Sequence, residues 1–173
     1  MITFRKATDK NIKALSKKLQ RLLEDKKGQV YQENVTKFGI PEEYVKQAFS
    51  EKTLLEAAAS GKATFYLALE NGCKILGFTQ IIQQDTCTTE LDRIMVFPEY
   101  TGKGIGTQLL TKALSDQKGK GIKIVIVRAG KDETRARGFY KKNGFKQMAE
   151  STIDAPWGKK LALVTYQLNL DQK

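Results

Sequence analysis

The sequence predicts an α/β (α+β) fold: a mixed, twisted, seven-stranded sheet with the order β-α-α-β-β-β-α-β-α-β-β and helices on both faces. Three observations support this prediction. The hydrophobic period is that of helices near the N-terminus and becomes that of strands after Gly61. Asn71-Gly72, a strong hairpin signal, separates two of the strand-like segments. A glycine-rich turn then enters a helix, and a continuous apolar strand follows, which is the pattern of a βαβ unit.

The first part of the chain is predicted to be mainly helical. A short alternating strand at residues 2–7 precedes a helix that Thr8 or Asp9 can cap. Apolar residues repeat at helical spacing along this helix, and its exposed side carries a basic stripe. The stripe consists of Lys10, Lys13, Lys17 and Arg21. We expect loop or irregular helix over residues 28–40 and a new helix that begins at Pro41.

The rest of the chain reads as an antiparallel meander that leads into the βαβ unit. We assign strands to residues 63–70, 73–84, 87–97, 122–130, 145–152 and 160–170, and helices to residues 107–117 and 133–142. The strand at 122–130 is apolar throughout, so we expect it to be buried on both faces of the sheet. No linker, repeat or low-complexity tract occurs, which predicts a single domain over residues 1–173.

The composition restricts the class of protein. Of the 173 residues, 40% are apolar and 28% are charged, as in an ordinary soluble globular protein. No apolar run is long enough for a membrane span, and the N-terminal residues lack the apolar core of a signal peptide. We therefore expect a cytoplasmic protein without a membrane partner.

The side chains that are missing narrow the chemistry further. The chain has no histidine, which excludes Ser-His-Asp and Cys-His nucleophilic sites and most zinc sites. Its two cysteines, Cys73 and Cys87, form no CxxC pair, so we expect reduced thiols, no metal and no acyl intermediate at Cys87. A general base must then be a carboxylate, a lysine, a tyrosine or a water that one of them holds. The net charge of +11 favours an anionic partner.

The stretch PEYTGKGIGTQLL has the features of an anion-binding turn. Gly102, Gly104 and Gly106 lie between a strand and a helix, whose first N–H groups have no intrahelical partner. The Walker pattern is absent, because no Gly-Lys-Ser/Thr follows a four-residue gap. A dinucleotide fingerprint would need glycine at Thr107 and would open the fold. A methyltransferase-like turn, with Asp132 at the ribose, would need more chain after it to complete a doubly wound sheet.

Two segments together resemble a known family. LDRIMVFPEYTGKGIGTQLL resembles motif A of the GCN5-related N-acetyltransferases (the GNAT superfamily), whose pattern is Gln/Arg-x-x-Gly-x-Gly/Ala. ARGFYKKNGF is similar to their motif B, with an alanine, an aromatic-tyrosine pair and a terminal Gly-Phe. The spacing of the two blocks and the element order also match, so the resemblance extends over essentially the whole chain. Thr101 stands where the family prefers glutamine or arginine, and Glu133 stands where it often has asparagine.

The resemblance implies acetyl-coenzyme A as the acetyl donor, bound where the strand at 87–97 and the strand at 122–130 move apart. The first strand would pair its backbone with the pantetheine, and the glycine turn would hold the pyrophosphate. The residues that the resemblance assigns to the coenzyme are Ile94, Met95, Val96, Thr101, Gly102, Lys103, Gly104, Ile105, Gly106, Thr107, Glu133, Arg135 and Tyr140. Lys141 lies in a neighbouring segment and is a further candidate for the phosphates.

Three residues are candidates for the proton transfers of an acetyl transfer to an amine. Tyr140 matches the family tyrosine that protonates the leaving sulfur, and its ordinary pKa of about 10 exceeds the thiol value of about 8.5. Glu90 is similar to a strand glutamate that serves as general base in members of the family, and Asp92 is the alternative. Period-two spacing puts Glu90 and Asp92 on one face of the strand unless a bulge intervenes.

The sequence does not identify the acceptor amine. The resemblance implies an acceptor pocket built from residues 26–49 and 153–159, and residues 43–69 are similar in layout to PaiA-type diamine N-acetyltransferases, which modify spermidine and spermine. A polyamine requires an acidic pocket, to which six residues can contribute: Glu42, Glu43, Asp85, Glu90, Asp92 and Asp154. The basic surface argues against a polycation. A protein N-terminus or lysine, an amino acid and an aminoglycoside-like amine stay open.

Functions of two other kinds stay open as well. The basic stripe suits a nucleic-acid-binding module, but no known binding motif occurs and aromatic residues do not interleave with the basic clusters, so nucleic acid is not an expected partner. A coenzyme A sensor without turnover is compatible with the departures at Thr101 and Glu133. The sequence does not decide the oligomeric state, and a homodimer is compatible with it.

Overall fold

One mixed sheet of seven strands forms the centre of the computed structural model, which describes residues 1–171. The strand order is β1-β2-β3-β4-β5-β7-β6, and β4 and β5 are parallel whereas the other neighbours are antiparallel. The strands are β1 (Ile2–Lys6), β2 (Ala63–Glu70), β3 (Lys74–Gln83), β4 (Thr88–Val96), β5 (Ile124–Gly130), β6 (Lys146–Asp154) and β7 (Lys160–Asn169). The predicted mixed sheet and its element order are confirmed.

Helices and short irregular turns connect these strands. The helices are α1 (Asp9–Glu24), α2 (Gln29–Tyr31), α3 (Glu42–Ala48), α4 (Glu51–Ala59), α5 (Ile105–Gly119) and α6 (Thr134–Lys142). A π-helical turn, Gln32–Thr36, extends α2, and a 3₁₀ turn, Pro98–Tyr100, follows β4. Thr8 caps α1, as predicted, because its hydroxyl accepts a hydrogen bond of 3.2 Å from the N–H of Asn11.

Helices pack on both faces of the sheet, as predicted. On one face α1 to α4 pack over β2 and β3, in a cluster that contains Leu15, Phe65 and Phe78. On the opposite face α5 and α6 pack in a cluster that contains Leu109 and Tyr166. The sheet therefore separates two apolar cores.

The prediction that β5 is buried on both faces is wrong. Alternate residues of this strand, Val125, Val127 and Ala129, are buried in the core on the side of α5 and α6. On the other face Ile124 and Ile126 are only half-buried, and Arg128 is exposed. The physical reason is that α1 to α4 cover β2 and β3 and contribute no buried contact to β5. One face of β5 is therefore open.

A β-bulge interrupts β4 at Asp92. In the pairing with β3, Leu91 and Arg93 oppose consecutive residues, which leaves Asp92 without a partner in the ladder. Leu91 and Ile94 both pack against the core on the side of α5, so the alternation is broken between them. The expectation that Glu90 and Asp92 share one face held only without a bulge, and the bulge falls at Asp92, before Ile94.

Candidate active site

The parallel strands β4 and β5 separate after three residue pairs. The last pair is Glu90 with Ile126, although β4 continues to Val96 and β5 continues to Gly130. Each strand is held on its outer side, β4 by β3 and β5 by β7. The two inner edges therefore bound a gap, which we call the wedge, and this is the separation that the resemblance implied.

Main-chain groups of β4 face the wedge. The N–H of Phe97, just after β4, donates to the carbonyl of Leu76 at 2.9 Å. The odd-numbered residues at this end of β4 therefore direct their backbone groups to β3. Ile94 and Val96 have the opposite parity and direct their N–H and C=O groups toward β5, which is no longer paired at this level. Backbone groups of this kind require a partner and can pair with an extended ligand.

Gly77 of β3 allows β4 to lie close enough to form this edge. It is opposite Val96, and a Cβ at Gly77 would lie 2.6 Å from the carbonyl oxygen of Met95 and 3.1 Å from the Cα of Val96. A larger residue would push β4 away from β3. Gly77 was not among the predicted site residues, and the signal that indicates such a close approach is a glycine inside a strand segment.

The glycine turn lies at the wide end of the wedge. Gly102 and Gly104 have φ values of 79° and 76°, a region that favours glycine, and α5 begins immediately afterwards. Gly104 occupies the N-cap position and offers no side-chain cap, so the first N–H groups of α5 are available to an anion. The hydroxyl of Thr101 donates to the carbonyl of Pro98 at 3.1 Å and stabilises the preceding turn.

Three cationic side chains were predicted to attract phosphates at this end. Lys103 follows Gly102 in the turn, and Arg135 and Lys141 lie on α6. All three are exposed, and within residues 1–171 none forms an ion pair with a carboxylate. Their charge is available to an anion bound at the turn, and their role there stays a prediction.

Tyr140 is buried on α6 beneath the sheet, at a relative exposure of 8%. Its ring makes edge contacts with Phe139 and Phe145 at centroid distances of 5.7 and 5.8 Å. No residue of the described chain forms a hydrogen bond with its hydroxyl. Burial, and secondly the charge of Glu133, raise the pKa of Tyr140 well above its ordinary value. The hydroxyl therefore stays protonated and can act as a proton donor.

The two candidate bases have different surroundings. Glu90, whose side chain is 15% exposed, accepts hydrogen bonds from Arg128 and from Gln84, each at 2.9 Å. It therefore lies at the narrow end of the wedge, bound on both oxygens. Asp92 lies on the bulge, where the guanidinium of Arg93 approaches it at 3.5 Å. Only Glu90 contacts a residue of β5 in this way.

Aromatic residues from two loops and from helix α3 meet within the segments that the resemblance assigned to the acceptor pocket. The indole N–H of Trp157 donates to the carbonyl of Phe38 at 3.4 Å, and the rings of Trp157 and Tyr44 are 6.2 Å apart. We call Phe38, Tyr44 and Trp157 the aromatic strap. The Phe38 ring would lie 3.0 Å from a Cβ at Gly130, so the strap reaches the end of β5.

Glu133 joins the strap to the start of α6. One of its oxygens accepts a hydrogen bond of 2.9 Å from the N–H of Gly130, and the other lies 3.7 Å from the ammonium of Lys37. Lys37 precedes Phe38 of the strap. A carboxylate at this position accepts hydrogen bonds and donates none, unlike the asparagine of motif B.

The described part of the chain contains no cluster of potential metal ligands and no membrane-spanning helix. Nowhere in residues 1–171 do three or more His, Cys, Asp or Glu side chains gather in a way that could hold a metal ion. The helices of the same residues are too short or too polar to cross a membrane.

Comparison with known proteins identifies the family. Residues 28–145 match the Acetyltransferase (GNAT) family, so the chain belongs to this family. An uncharacterised N-acetyltransferase of Methanocaldococcus jannaschii is 40% identical over 58 residues, which are 34% of this chain and 26% of that protein. The match thus spans about a quarter of the relative's length.

Solved structures of low sequence identity share the fold. The PaiA N-acetyltransferase of Thermoplasma acidophilum, solved in complex with coenzyme A, superimposes with a TM-score of 0.67 at 22% identity, over 94% of this chain and 98% of that chain. YncA of Salmonella typhimurium, solved with its cofactor acetyl-CoA, gives a TM-score of 0.71 at 17% identity, over 100% and 96% of the two chains.

Proposed function

We propose that the protein is an acetyl-CoA-dependent N-acetyltransferase that moves an acetyl group to a primary amine of a small molecule by direct attack. The observation that carries the proposal is the separation of β4 and β5 with a glycine turn and a helix start at its wide end. The wedge offers main-chain partners to an extended thioester arm, and the turn offers N–H groups to its pyrophosphate.

The residues present suit such a coenzyme. The backbone groups of Ile94 and Val96 would pair with the pantetheine, and the N–H groups from Ile105 to Thr107 would bind the pyrophosphate. The relatives solved with coenzyme A and acetyl-CoA support this choice of ligand. Thr101 replaces a long polar side chain, so the backbone N–H groups would provide more of the binding.

The proton transfers can be assigned to two side chains. Glu90 would take a proton from the attacking ammonium, directly or through a water, so that the nitrogen lone pair becomes available. The new C–N bond forms while the C–S bond breaks, and the nitrogen releases its second proton to water to give the neutral amide. Tyr140 would donate its proton to the departing sulfur and regain one from solvent. Because burial raises the pKa of Tyr140, its hydroxyl carries this proton throughout the neutral pH range.

A polyamine is the acceptor that the sequence resemblance suggests, and the PaiA enzyme supports it through its fold only. This candidate requires carboxylates that are free to bind two or three ammonium groups. It is tested by the same assay as the general proposal, with spermidine and spermine among the amines.

Two measurements test the proposed function. Acetyl-CoA should raise the Tm in a thermal-shift titration, whereas an oligonucleotide of similar charge should not. Release of free thiol from acetyl-CoA, followed across a panel of amines, should then show turnover. Stabilisation by the oligonucleotide alone would contradict the proposal. Stabilisation by acetyl-CoA without turnover of any amine would favour a coenzyme A sensor.

A further inference from the structure

Most carboxylates that a polyamine pocket would use are already bound. Four of the six acidic candidates have partners: Glu42 with Lys46, Asp85 with the backbone N–H groups of Cys87 and Thr88, Glu90 with Arg128, and Asp92 with Arg93. The other two, Glu43 and Asp154, are exposed, where water screens their charge. An ammonium group that used Glu42, Glu90 or Asp92 would compete with a cation already bound there.

The acid that joins the aromatic strap to α6 is neutralised as well. Glu133 is held by Lys37 and by the N–H of Gly130. It is therefore not free to bind the distal ammonium of a diamine. A positive acceptor tail is disfavoured at this place.

Lys159 supplies a cation beside the strap. It belongs to the tight turn between β6 and β7, which is closed by a hydrogen bond of 2.8 Å from the N–H of Ala155 to the carbonyl of Lys159. Its side chain lies over Gly39: a Cβ at that glycine would be 3.3 Å from the lysine Cδ and 3.4 Å from Nζ. In the described chain no carboxylate lies within ion-pair distance of this ammonium.

Gly39 explains why the Lys159 side chain can lie there. Its φ of 61° and its lack of a side chain leave a bare stretch of backbone directly after Phe38 of the strap. The lysine side chain lies over this stretch, while the residue as a whole is exposed. The result is a positive group beside the backbone of Gly39, the residue that follows Phe38 of the strap.

We propose that the acceptor is a small amine that also carries a carboxylate, and that Lys159 binds this carboxylate while the aromatic strap contacts the body of the molecule. The inference rests on the proposed acetyltransferase function and names its acceptor class. The amine end then points to the wedge, and the charge-assisted hydrogen bond to Lys159 fixes the opposite end. A net charge of +11 adds a field that attracts such anionic molecules.

The test compares amines that differ only in the carboxylate. Free-thiol release from acetyl-CoA is measured for phenylalanine against phenylalaninamide, for lysine against 1,5-diaminopentane, and for spermidine. We expect kcat/KM for the carboxylate member of each pair to exceed that of its partner at least tenfold. Phenylalaninamide has a less basic amine than phenylalanine, so more of it is neutral and able to attack at the assay pH. A preference for phenylalanine would therefore arise in spite of this difference in reactivity.

Variants then assign the effect to one side chain. Lys159→Met keeps the apolar part of the side chain and removes the charge. We expect it to lower kcat/KM about tenfold for the amines with a carboxylate. The rates of the amines without a carboxylate and the affinity for acetyl-CoA should stay unchanged. Lys160→Met is the matched control, since it removes the same charge from the next residue. Its rates should stay within twofold of the wild type.

Each alternative result has a defined meaning. If spermidine or the amines without a carboxylate react as fast as the amines with one, or faster, the inference is overturned and the acetyltransferase proposal still stands. An equal loss for both members of a pair in Lys159→Met shows a structural role only, and also overturns it. Stabilisation by acetyl-CoA without turnover of any carboxylate amine overturns it too. Failure to bind acetyl-CoA instead overturns the proposed function itself.

Discussion

Glu90 of β4 and Arg128 of β5 form an ion pair of 2.9 Å at the level where the two strands separate. The pair bridges the narrow end of the wedge, and Gln84 holds the second carboxylate oxygen of Glu90. The carboxylate is therefore fixed in orientation, which is what a positioned proton acceptor requires.

Glu90→Gln should lower kcat by about tenfold to a hundredfold, within the range of a general base contribution. The amide cannot take a proton from the amine, so the pH–rate profile should shift to higher pH, where more of the amine is already neutral. Initial rates of thiol release from pH 6 to 10 measure this effect. Glu150→Gln, which removes an exposed strand carboxylate paired with Lys131, is the control. A loss in Asp92→Asn instead would transfer the role to Asp92.

Tyr140→Phe should reduce kcat about a hundredfold and leave the affinity for acetyl-CoA nearly unchanged, because only the donated proton is lost. Rates and a thermal-shift titration measure the two quantities separately. Tyr166→Phe is a matched control in the same core: its hydroxyl accepts a hydrogen bond of 2.7 Å from Arg137. It should cost about 1 kcal/mol of stability while turnover is retained. Unchanged turnover in Tyr140→Phe would remove the general acid assignment.

The raised pKa values of two buried tyrosines predict that the protein loses stability at alkaline pH. Burial raises the pKa of Tyr66 and of Tyr140 above the ordinary value of about 10. Between the unfolded and the folded pKa the unfolded chain holds fewer protons than the native protein, so the free energy of unfolding falls as pH rises. Their stabilisation is complete below about pH 10. Urea unfolding at pH 8, 10 and 11 measures the slope.

The variants Tyr66→Phe and Tyr140→Phe should each flatten this alkaline decline. The lysines titrate in the same way in the wild type and in both variants, so their contribution cancels when the slopes of the three proteins are compared. Tyr66→Phe also removes the hydrogen bonds of its hydroxyl to Asp116 and Gln117, so it should be less stable at every pH. A slope identical to that of the wild type in both variants would contradict the assignment to tyrosine ionisation.

Gly104→Ala should weaken acetyl-CoA binding about tenfold, because relief of a positive-φ strain of roughly 1–2 kcal/mol would rotate the backbone that directs the first N–H groups of α5. Gly72→Ala is its matched control. Gly72 has the same φ of 76° but lies in the β2–β3 hairpin turn beside Asn71. A Cβ at Gly72 would meet no atom within 4 Å, and one at Gly104 would meet only the end of the Gln108 side chain, at 4.0 Å. Both variants should lose similar stability in urea unfolding. Equal loss of coenzyme affinity in the two would show that the turn does not bind the ligand directly.

The order of elements was predictable because each boundary has a local cause. Thr8 caps α1, Asn71 and Gly72 adopt the positive φ values of a tight hairpin, and the glycines before α5 mark its start. These signals depend on neighbouring residues only, so a single sequence contains them.

Long-range contacts account for what was not predicted. The open face of β5 depends on how far α1 to α4 extend, and the apolar run at 122–130 does not reveal this. The bulge at Asp92 arises from the pairing of β4 with β3. Likewise, the contact between Phe38 and Trp157 joins residues that are far apart in the chain. Their meeting is a property of the folded molecule.

The early separation of β4 and β5 has a consequence for the lifetime of the protein. With only three residue pairs between the strands, the sheet is least cohesive at its centre, and amide exchange should be fastest along the inner edges. A molecule that bridges both edges adds binding energy to the native state alone, about 2.7 kcal/mol at a hundred times its Kd. The supply of that molecule in the cell would then set how often the chain opens to proteases.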